Sequence, residues 1–142
     1  MAITSDQRNA TRNQSTLDYR LINLFLYGNR YSEAVLKNET VNSQDAKLGH
    51  LVVRGTDGVL NIAGTANLAD VVGVLFLEDQ TLAAAEEVNV NYAISGDIDG
   101  RLLQLPGSKT LDSAVGNKTL KDVLHSLGFV VKDSVEHFKI DN

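Results

Sequence analysis

Residues 88 to 94 alternate strictly between apolar side chains and polar or small ones, and this period of two is the strongest structural constraint in the chain. The apolar positions are Val88, Val90, Tyr92 and Ile94. Successive side chains of a β-strand point to opposite faces, so the pattern places these four residues on one face of a sheet. The segment therefore predicts a β-strand with one face against a core.

Other segments also favour β-structure. Residues 48–54 are followed by a loop that contains Asp57-Gly58, a dipeptide that favours a hairpin turn because Gly accepts a positive φ. The chain should turn back there, with Val59 to Ile62 as the returning strand. The continuous apolar run from Val71 to Leu77 predicts a strand buried on both faces, and Phe129 to Val131 predicts a last strand.

One short helix is predicted before that last strand. Thr119 and Asp122 have the spacing of a capping box, in which each side chain bonds the backbone N–H of the other residue. Four apolar residues then recur at helical spacing: Leu120, Val123, Leu124 and Leu127. Gly128 follows as the expected left-handed C-cap, so we expect a helix from residue 119 to 127 that packs on the sheet.

Composition limits the class of protein. With 142 residues and 43% hydrophobic content, the chain can form one domain with appendages, and the absence of cysteine excludes disulfides and thiolate metal sites. The N-terminus lacks the basic start and apolar run of a signal peptide, so synthesis in a cytoplasm is expected. Residues 51–142 carry 7 Lys and Arg against 13 Asp and Glu, which argues against a nucleic-acid groove. No membrane partner is expected.

The N-terminal region divides into a polar arm and an apolar patch. Residues 1–16 are almost wholly polar, with Ile3 as the one branched apolar residue, and are predicted to be a flexible arm. Residues 17–27 are rich in Leu, Ile, Phe and Tyr and fit either a helix or a buried strand. They belong either to the core or to a docking segment. The predicted division is an arm and anchor over residues 1–30 and a single β domain with a C-terminal tail over residues 31–142.

The residue types that carry chemistry do not form a recognisable site in the sequence. The three histidines, His50, His125 and His137, lack the spacing of zinc ligands. Asp97-Ile98-Asp99-Gly100 resembles the start of a calcium loop, but position 12 of that loop is Ser108 where a bidentate Glu is needed. We therefore expect a turn at residues 97–100, and no catalytic, metal-binding or cofactor-binding residues in the chain.

The order of five short segments resembles the phage lambda-type head decoration protein family. The segments are Glu33-Ala34-Val35-Leu36, Leu48-Gly49-His50-Leu51-Val52, Tyr92-Ala93-Ile94-Ser95-Gly96-Asp97-Ile98-Asp99, Leu103-Gln104-Leu105 and Val123-Leu124-His125-Ser126-Leu127-Gly128-Phe129. The resemblance covers about residues 31 to 131. The long arm, the tail from Lys132 to Asn142 and the absence of tryptophan depart from the family pattern.

The resemblance implies a fold and a role. The fold would be mostly β with one short α-helix, a small β-barrel or β-tulip-like domain with a flexible N-terminal arm. The role would be a structural, non-enzymatic one: a homotrimer on the outside of the expanded head, bound to the major capsid protein at three-fold and quasi-three-fold positions. The expected capsid contacts are Ile3, Arg8, Arg12, Leu21, Ile22, Leu24, Phe25 and Tyr27. The alternatives are a phage tail or tube component, or a small β-domain enzyme or carbohydrate-binding module.

Overall fold

The computed structural model describes residues 23–132, which contain ten β-strands and one complete α-helix. The elements are β1 (Phe25–Lys37), β2 (Gln44–Ala46), β3 (Leu51–Arg54), β4 (Leu60–Ile62), β5 (Val71–Phe76), β6 (Gln80–Leu82), β7 (Glu87–Asp99), β8 (Ala114–Val115), β9 (Lys118–Thr119), α1 (Leu120–Leu127) and β10 (Phe129–Lys132). The predicted mostly β fold with one short helix is confirmed. Within the described range no helix is long and apolar enough to cross a membrane.

The main sheet has six strands in the order β1-β4-β3-β5-β7-β10, and β1 also pairs with β7. Five of these strands therefore form a closed ring. The long antiparallel pairing of β1 with β7 runs from Phe25 opposite Ile98 to Lys37 opposite Glu87. A single parallel pair, Leu36 with Leu60, joins β1 to β4. Strand β10 lies outside the ring and pairs in parallel with the second half of β7.

The inside of the ring is filled by apolar side chains. Every ring strand contributes to one buried cluster, which also includes residues of the small β2–β6 sheet: Leu36, Ala46, Val52, Leu60, Leu75, Leu82, Val90 and Tyr92. Side chains from all five strands can meet in this way only if they point inward. Val90 and Tyr92 confirm the alternation predicted for β7, whereas Ile94 lies further along and is partly exposed.

The outer face of the ring packs against α1. Val53, Val74 and Ala93 point away from the ring interior and share a second buried cluster with Leu120 and Leu124 of the helix. This arrangement confirms the predicted packing of the helical stripe. The helix begins with the predicted capping box, in which Thr119 N donates to Asp122 Oδ2 at 3.1 Å and Asp122 N donates to Thr119 Oγ1 at 3.2 Å. It ends at Gly128 in the left-handed conformation, with φ of 108°.

The predicted hairpin at Asp57-Gly58 is also confirmed. Strands β3 and β4 are antiparallel, with Val52 opposite Ile62 and Arg54 opposite Leu60. Asp57 has a φ of 60° and Gly58 a φ of 80°. Two consecutive positive φ values reverse the chain in the sense that matches the twist of the flanking strands.

The turn predicted at residues 97–100 is wrong for its first three residues. Asp97 to Asp99 continue β7, because Asp97 and Ile98 pair with β1 on one edge and all three residues pair with β10 on the other. The chain turns only at residues 100–102, in a short 3₁₀ turn. The buried Asp99 caps this turn by accepting a hydrogen bond from Arg101 N at 3.0 Å.

The predicted domain boundary at residue 30 is corrected as well. Strand β1 begins at Phe25, and Phe25, Tyr27 and Arg30 already pair with β7, so this stretch is not a separate anchor. Leu24 lies in the same core as the helix. At Leu24 and Phe25 the apolar character therefore reflects burial in the core, and the β domain extends at least to residue 24 on its N-terminal side. The predicted flexible arm and the tail after Lys132 lie outside the described residues.

Candidate docking surface

Two buried or partly buried titratable side chains, Asp99 and His50, form structural hydrogen bonds. Asp99 accepts hydrogen bonds from Arg101 Nε at 3.1 Å and from Arg101 Nη2 at 2.9 Å. His50 Nδ1 accepts a hydrogen bond from Lys47 N at 2.9 Å, and burial of the ring lowers the His50 pKa. Between residues 23 and 132 no group of three or more His, Asp or Glu side chains could hold a metal ion. The exposed apolar side chains of this part of the chain form the candidate docking surface.

The predicted capsid contacts divide into three sets. Ile3, Arg8, Arg12, Leu21 and Ile22 lie outside the described residues.

Leu24 and Phe25 are only 1% and 7% exposed. They belong to the second buried cluster, between the outer face of the ring and α1, which we call the outer core cluster. For these two residues the structure corrects the docking interpretation in favour of the core alternative, because a side chain buried under the sheet cannot meet a partner. Tyr27 is 79% exposed and remains available.

Tyr27 lies in a row of residues that crosses three strands. It is opposite Asp97 of β7, and Asp97 is opposite Val130 of β10. Directly opposed residues of a sheet point to the same face, and Val130 is 48% exposed. Asp97 Oδ2 also forms a salt bridge with Lys132 Nζ, and the two atoms are 3.5 Å apart. We call Tyr27, Asp97 and Val130 the Tyr27 row; it is an aromatic and aliphatic surface with one charged pair.

A bulge in β1 turns Tyr27 outward. Phe25 is opposite Ile98 and Tyr27 is opposite Asp97, so two steps along β1 correspond to one step along β7. Neighbouring residues of β7 point to opposite faces, and Ile98 is in the core. Tyr27 must therefore face away from the core that buries Phe25. A regular strand would have placed both aromatic rings on the same buried face.

Asn29 and Gly96 hold this irregular stretch in place. Asn29 Nδ2 donates to the carbonyl oxygens of Ser95 at 3.4 Å and Asp97 at 3.2 Å. Gly96 has a φ of 116°, and a β-carbon at this position would lie 2.6 Å from Asn29 Cα. Because residue 96 has no side chain, β1 can approach β7 closely at Asn29. This close approach supports the bulge that directs Tyr27 outward.

The other exposed tyrosine of β1, Tyr31, is partly committed to packing. Its ring stacks edge-on against Phe76, with centroids 5.0 Å apart, and against Phe25, with centroids 5.8 Å apart. Partial burial raises the pKa of the Tyr31 hydroxyl. Phe25, Tyr31 and Phe76 thus form an aromatic cluster next to the bulge, and Tyr31 remains 45% exposed.

Val41 is a further exposed apolar residue, and the sequence analysis did not identify it. It is 89% exposed in the loop between β1 and β2. The loop is organised by the fully buried Asn38, whose Nδ2 donates to the carbonyl oxygens of Asn42 at 2.8 Å and Leu82 at 3.1 Å. Asn38 Oδ1 accepts from Thr40 N at 2.9 Å. The Asn38-x-Thr40 spacing in the sequence is the signal for this side-chain-stabilised turn.

For the bulge, the available signal was Gly28-Asn29 directly after the apolar residues Leu24 to Tyr27, since Gly in a strand often marks an irregularity. No family model and no curated protein matches the chain.

Proposed function

We propose that this protein is a phage capsid decoration protein. In this role it binds as a homotrimer to the major capsid protein on the outside of the expanded head, at three-fold and quasi-three-fold positions, and stabilises the shell against internal DNA pressure. It would be made in the host cytoplasm and reside on the outer surface of the virion. The proposed role is structural and involves no cofactor and no catalysis.

The observation that carries the proposal is the order of the five segments that resemble the family. Four of them coincide with regular elements: Glu33 to Leu36 lie in β1, Leu51 and Val52 in β3, Tyr92 to Asp99 in β7, and Val123 to Phe129 in α1 and β10. The fifth contains Gln104, which bridges to His50 of the second segment. The segments in β1 and β7 pair with each other in the sheet, and β10 of the last segment pairs with β7, which supports reading the segments as one fold pattern.

The position of the Tyr27 row supports a docking role. The described chain begins at residue 23, two residues before β1, and Tyr27 is the first strongly exposed large side chain after it. The polar segment of residues 1–16 therefore precedes the row closely in the chain. An arm and an adjacent aromatic surface on each subunit of a trimer would bind one shell at six places. Linked contacts of this kind give tight attachment from individually weak ones, because each later contact forms at high effective concentration.

The test is a pelleting assay with expanded heads of the parent phage that lack this protein, together with light scattering of the isolated protein. Saturable co-sedimentation of a trimer supports the proposal. A hexameric ring in solution would favour a tail or tube component instead. A monomer that does not pellet with heads would contradict the decoration role.

A further inference from the structure

A surface groove lies beside the end of β10 and has no role in the proposed function. It has a volume of about 570 Å³ and is lined by apolar and charged side chains. Its lining includes three leucines and three charged residues: Leu103, Leu105, Leu111, Arg101, Lys109 and Asp112. Leu103 is buried, whereas Leu105 and Leu111 are partly exposed and pack against the outer core cluster. The groove thus offers an apolar floor that is continuous with the core.

The described chain ends at the mouth of this groove. Strand β10 runs parallel to β7, and its last residue, Lys132, lies opposite Asp99. Gly100, the residue that follows β7 in the sequence, lines the groove. A β-carbon at position 100 would lie 2.5 Å from Leu111 Cδ1 and 2.7 Å from Val131 Cγ1. Leu111 of the groove and Val131 of β10 therefore meet over Gly100, and the chain leaves β10 directly alongside the groove.

The sequence that follows Lys132 suits a groove with an apolar floor. Residues 133–142 include three apolar side chains, Val135, Phe138 and Ile140, among polar ones. They also carry three acidic residues against one lysine. On the groove side, Arg101 is already bound by the buried Asp99, and Lys109 and Asp112 carry opposite charges, so binding depends mainly on the apolar contact.

We propose that residues 133–142 bind in this groove of their own chain, with Phe138 as the aromatic anchor on the floor formed by Leu105 and Leu111. Ten residues can extend over roughly 33 Å, which is ample to reach a groove that begins next to residue 132. The tether keeps the segment at high local concentration near the groove, so a modest apolar contact is sufficient for binding. An aromatic side chain contributes most because it buries a large area.

The absence of tryptophan in the chain permits a direct test. Phe138→Trp introduces a single fluorescent reporter at the proposed anchor. We expect its emission to be shifted to shorter wavelength and its quenching by acrylamide to be weaker than for Val41→Trp, which places the same reporter at an exposed site. Emission and quenching equal to those of the Val41→Trp protein would overturn the proposal.

A second substitution in the groove tests the location. Adding Leu111→Asp to the Phe138→Trp protein should shift the emission back to longer wavelength and restore quenching. Lys109→Glu on the rim should have the same effect in part, and serves as the milder variant if Leu111→Asp melts early. Leu102→Asp, at an exposed leucine that does not line the groove, is the matched control. A reporter that stays protected in both groove variants would show that the segment packs elsewhere.

The unmodified sequence provides an independent measurement. Amide hydrogen exchange of residues 100–112 should be slower in the full chain than in a chain that ends at Lys132. Equal exchange rates would contradict binding in the groove.

Co-refolding the Phe138→Trp, Leu111→Asp protein with the chain that ends at Lys132 distinguishes a neighbouring copy. If the short-wavelength emission returns in that mixture, the segment binds the groove of another subunit. That result would overturn binding within one chain. None of these measurements uses phage heads. A failure of this proposal would therefore be distinguishable from a failure of the proposed capsid role.

Discussion

Asn29 and Gly96 lie against each other backbone to backbone, so that a β-carbon on residue 96 would lie 2.6 Å from Asn29 Cα. We expect Gly96→Ala to lower the free energy of unfolding by about 3 kcal/mol, through backbone strain and this clash together. Gly116→Ala is the control, because it has a positive φ of 65° but no atom within 4 Å of the added carbon. It should cost roughly 1 kcal/mol. Urea denaturation of both variants measures the difference, and equal losses would mean that the close approach is not rigid.

The helix–sheet contact predicts a large effect at Leu124. This side chain is fully buried between α1 and the outer face of the ring. Leu124→Ala should therefore cost about 2 to 4 kcal/mol, from lost burial and the cavity that remains. Val130→Ala, on the exposed face of β10, should cost less than about 0.5 kcal/mol. A loss at Leu124 as small as that at Val130 in chemical denaturation would show that the helix is not part of the core.

His50 predicts a loss of stability at mildly acidic pH. Burial is the main reason that its pKa lies below the usual value of 6.5, and Lys47 lowers it further while Asp79 and Asp45 oppose the shift. A lowered pKa means that the folded state favours the neutral ring, whereas the unfolded chain takes up the proton at higher pH. The stabilising contribution of the neutral ring is therefore complete above pH 6.5 and is lost as pH falls through the folded pKa.

The measurement for His50 is thermal unfolding between pH 7 and pH 5. His50→Asn keeps an acceptor for the Lys47 N–H but does not titrate, so its curve should change less over this range. Parallel curves for the two proteins would assign the pH dependence to other groups.

The exposed position of Tyr27 predicts a variant that separates binding from folding. Tyr27→Ala should leave melting nearly unchanged, because the side chain is outside both core clusters. Its affinity for expanded heads should fall, and the loss should exceed that of a single contact because it recurs in each subunit. Val41→Ala is the matched control at a distant exposed site. Equal saturation of heads by the Tyr27 variant and the unmodified protein would remove the Tyr27 row from the docking surface.

Deletion of residues 2–16 tests the arm in the same assay. The trimer should remain folded with little change in melting, because the deleted residues contain no predicted core position. Affinity for heads should fall at both low and moderate salt. If the shortened protein saturates heads at the same concentration as the intact one, docking depends on the β body alone.

Local patterns in the sequence were sufficient for the elements that depend on nearby residues. Thr119 and Asp122 mark the start of α1, and Asp57-Gly58 marks the hairpin, because in both cases the stabilising bonds form within a few residues. The alternation at Val88 to Tyr92 identified the first half of β7 because one face of the strand lies against the core, and a period of two in the residue types records this.

The features that were missed depend on distant partners. Asp97 and Asp99 have the composition of a turn, yet they lie in a strand because β1 and β10 pair with both of its edges. Asp99 tolerates burial because Arg101 binds both of its oxygens. The outward direction of Tyr27 likewise depends on a register shift against β7, which residue types alone do not specify.

The pairing of Phe25 with Ile98 has a consequence for how the protein is made. The first strand of the ring is completed by a partner more than seventy residues later, and such non-local pairing is slow to form. During synthesis the β3–β4 hairpin and β5 can associate first, since they are close in the chain, whereas β1 must wait until β7 has left the ribosome. The nascent chain therefore carries an unpaired, aromatic-rich strand for much of its translation, and its yield in cells should be sensitive to temperature and to the supply of chaperones.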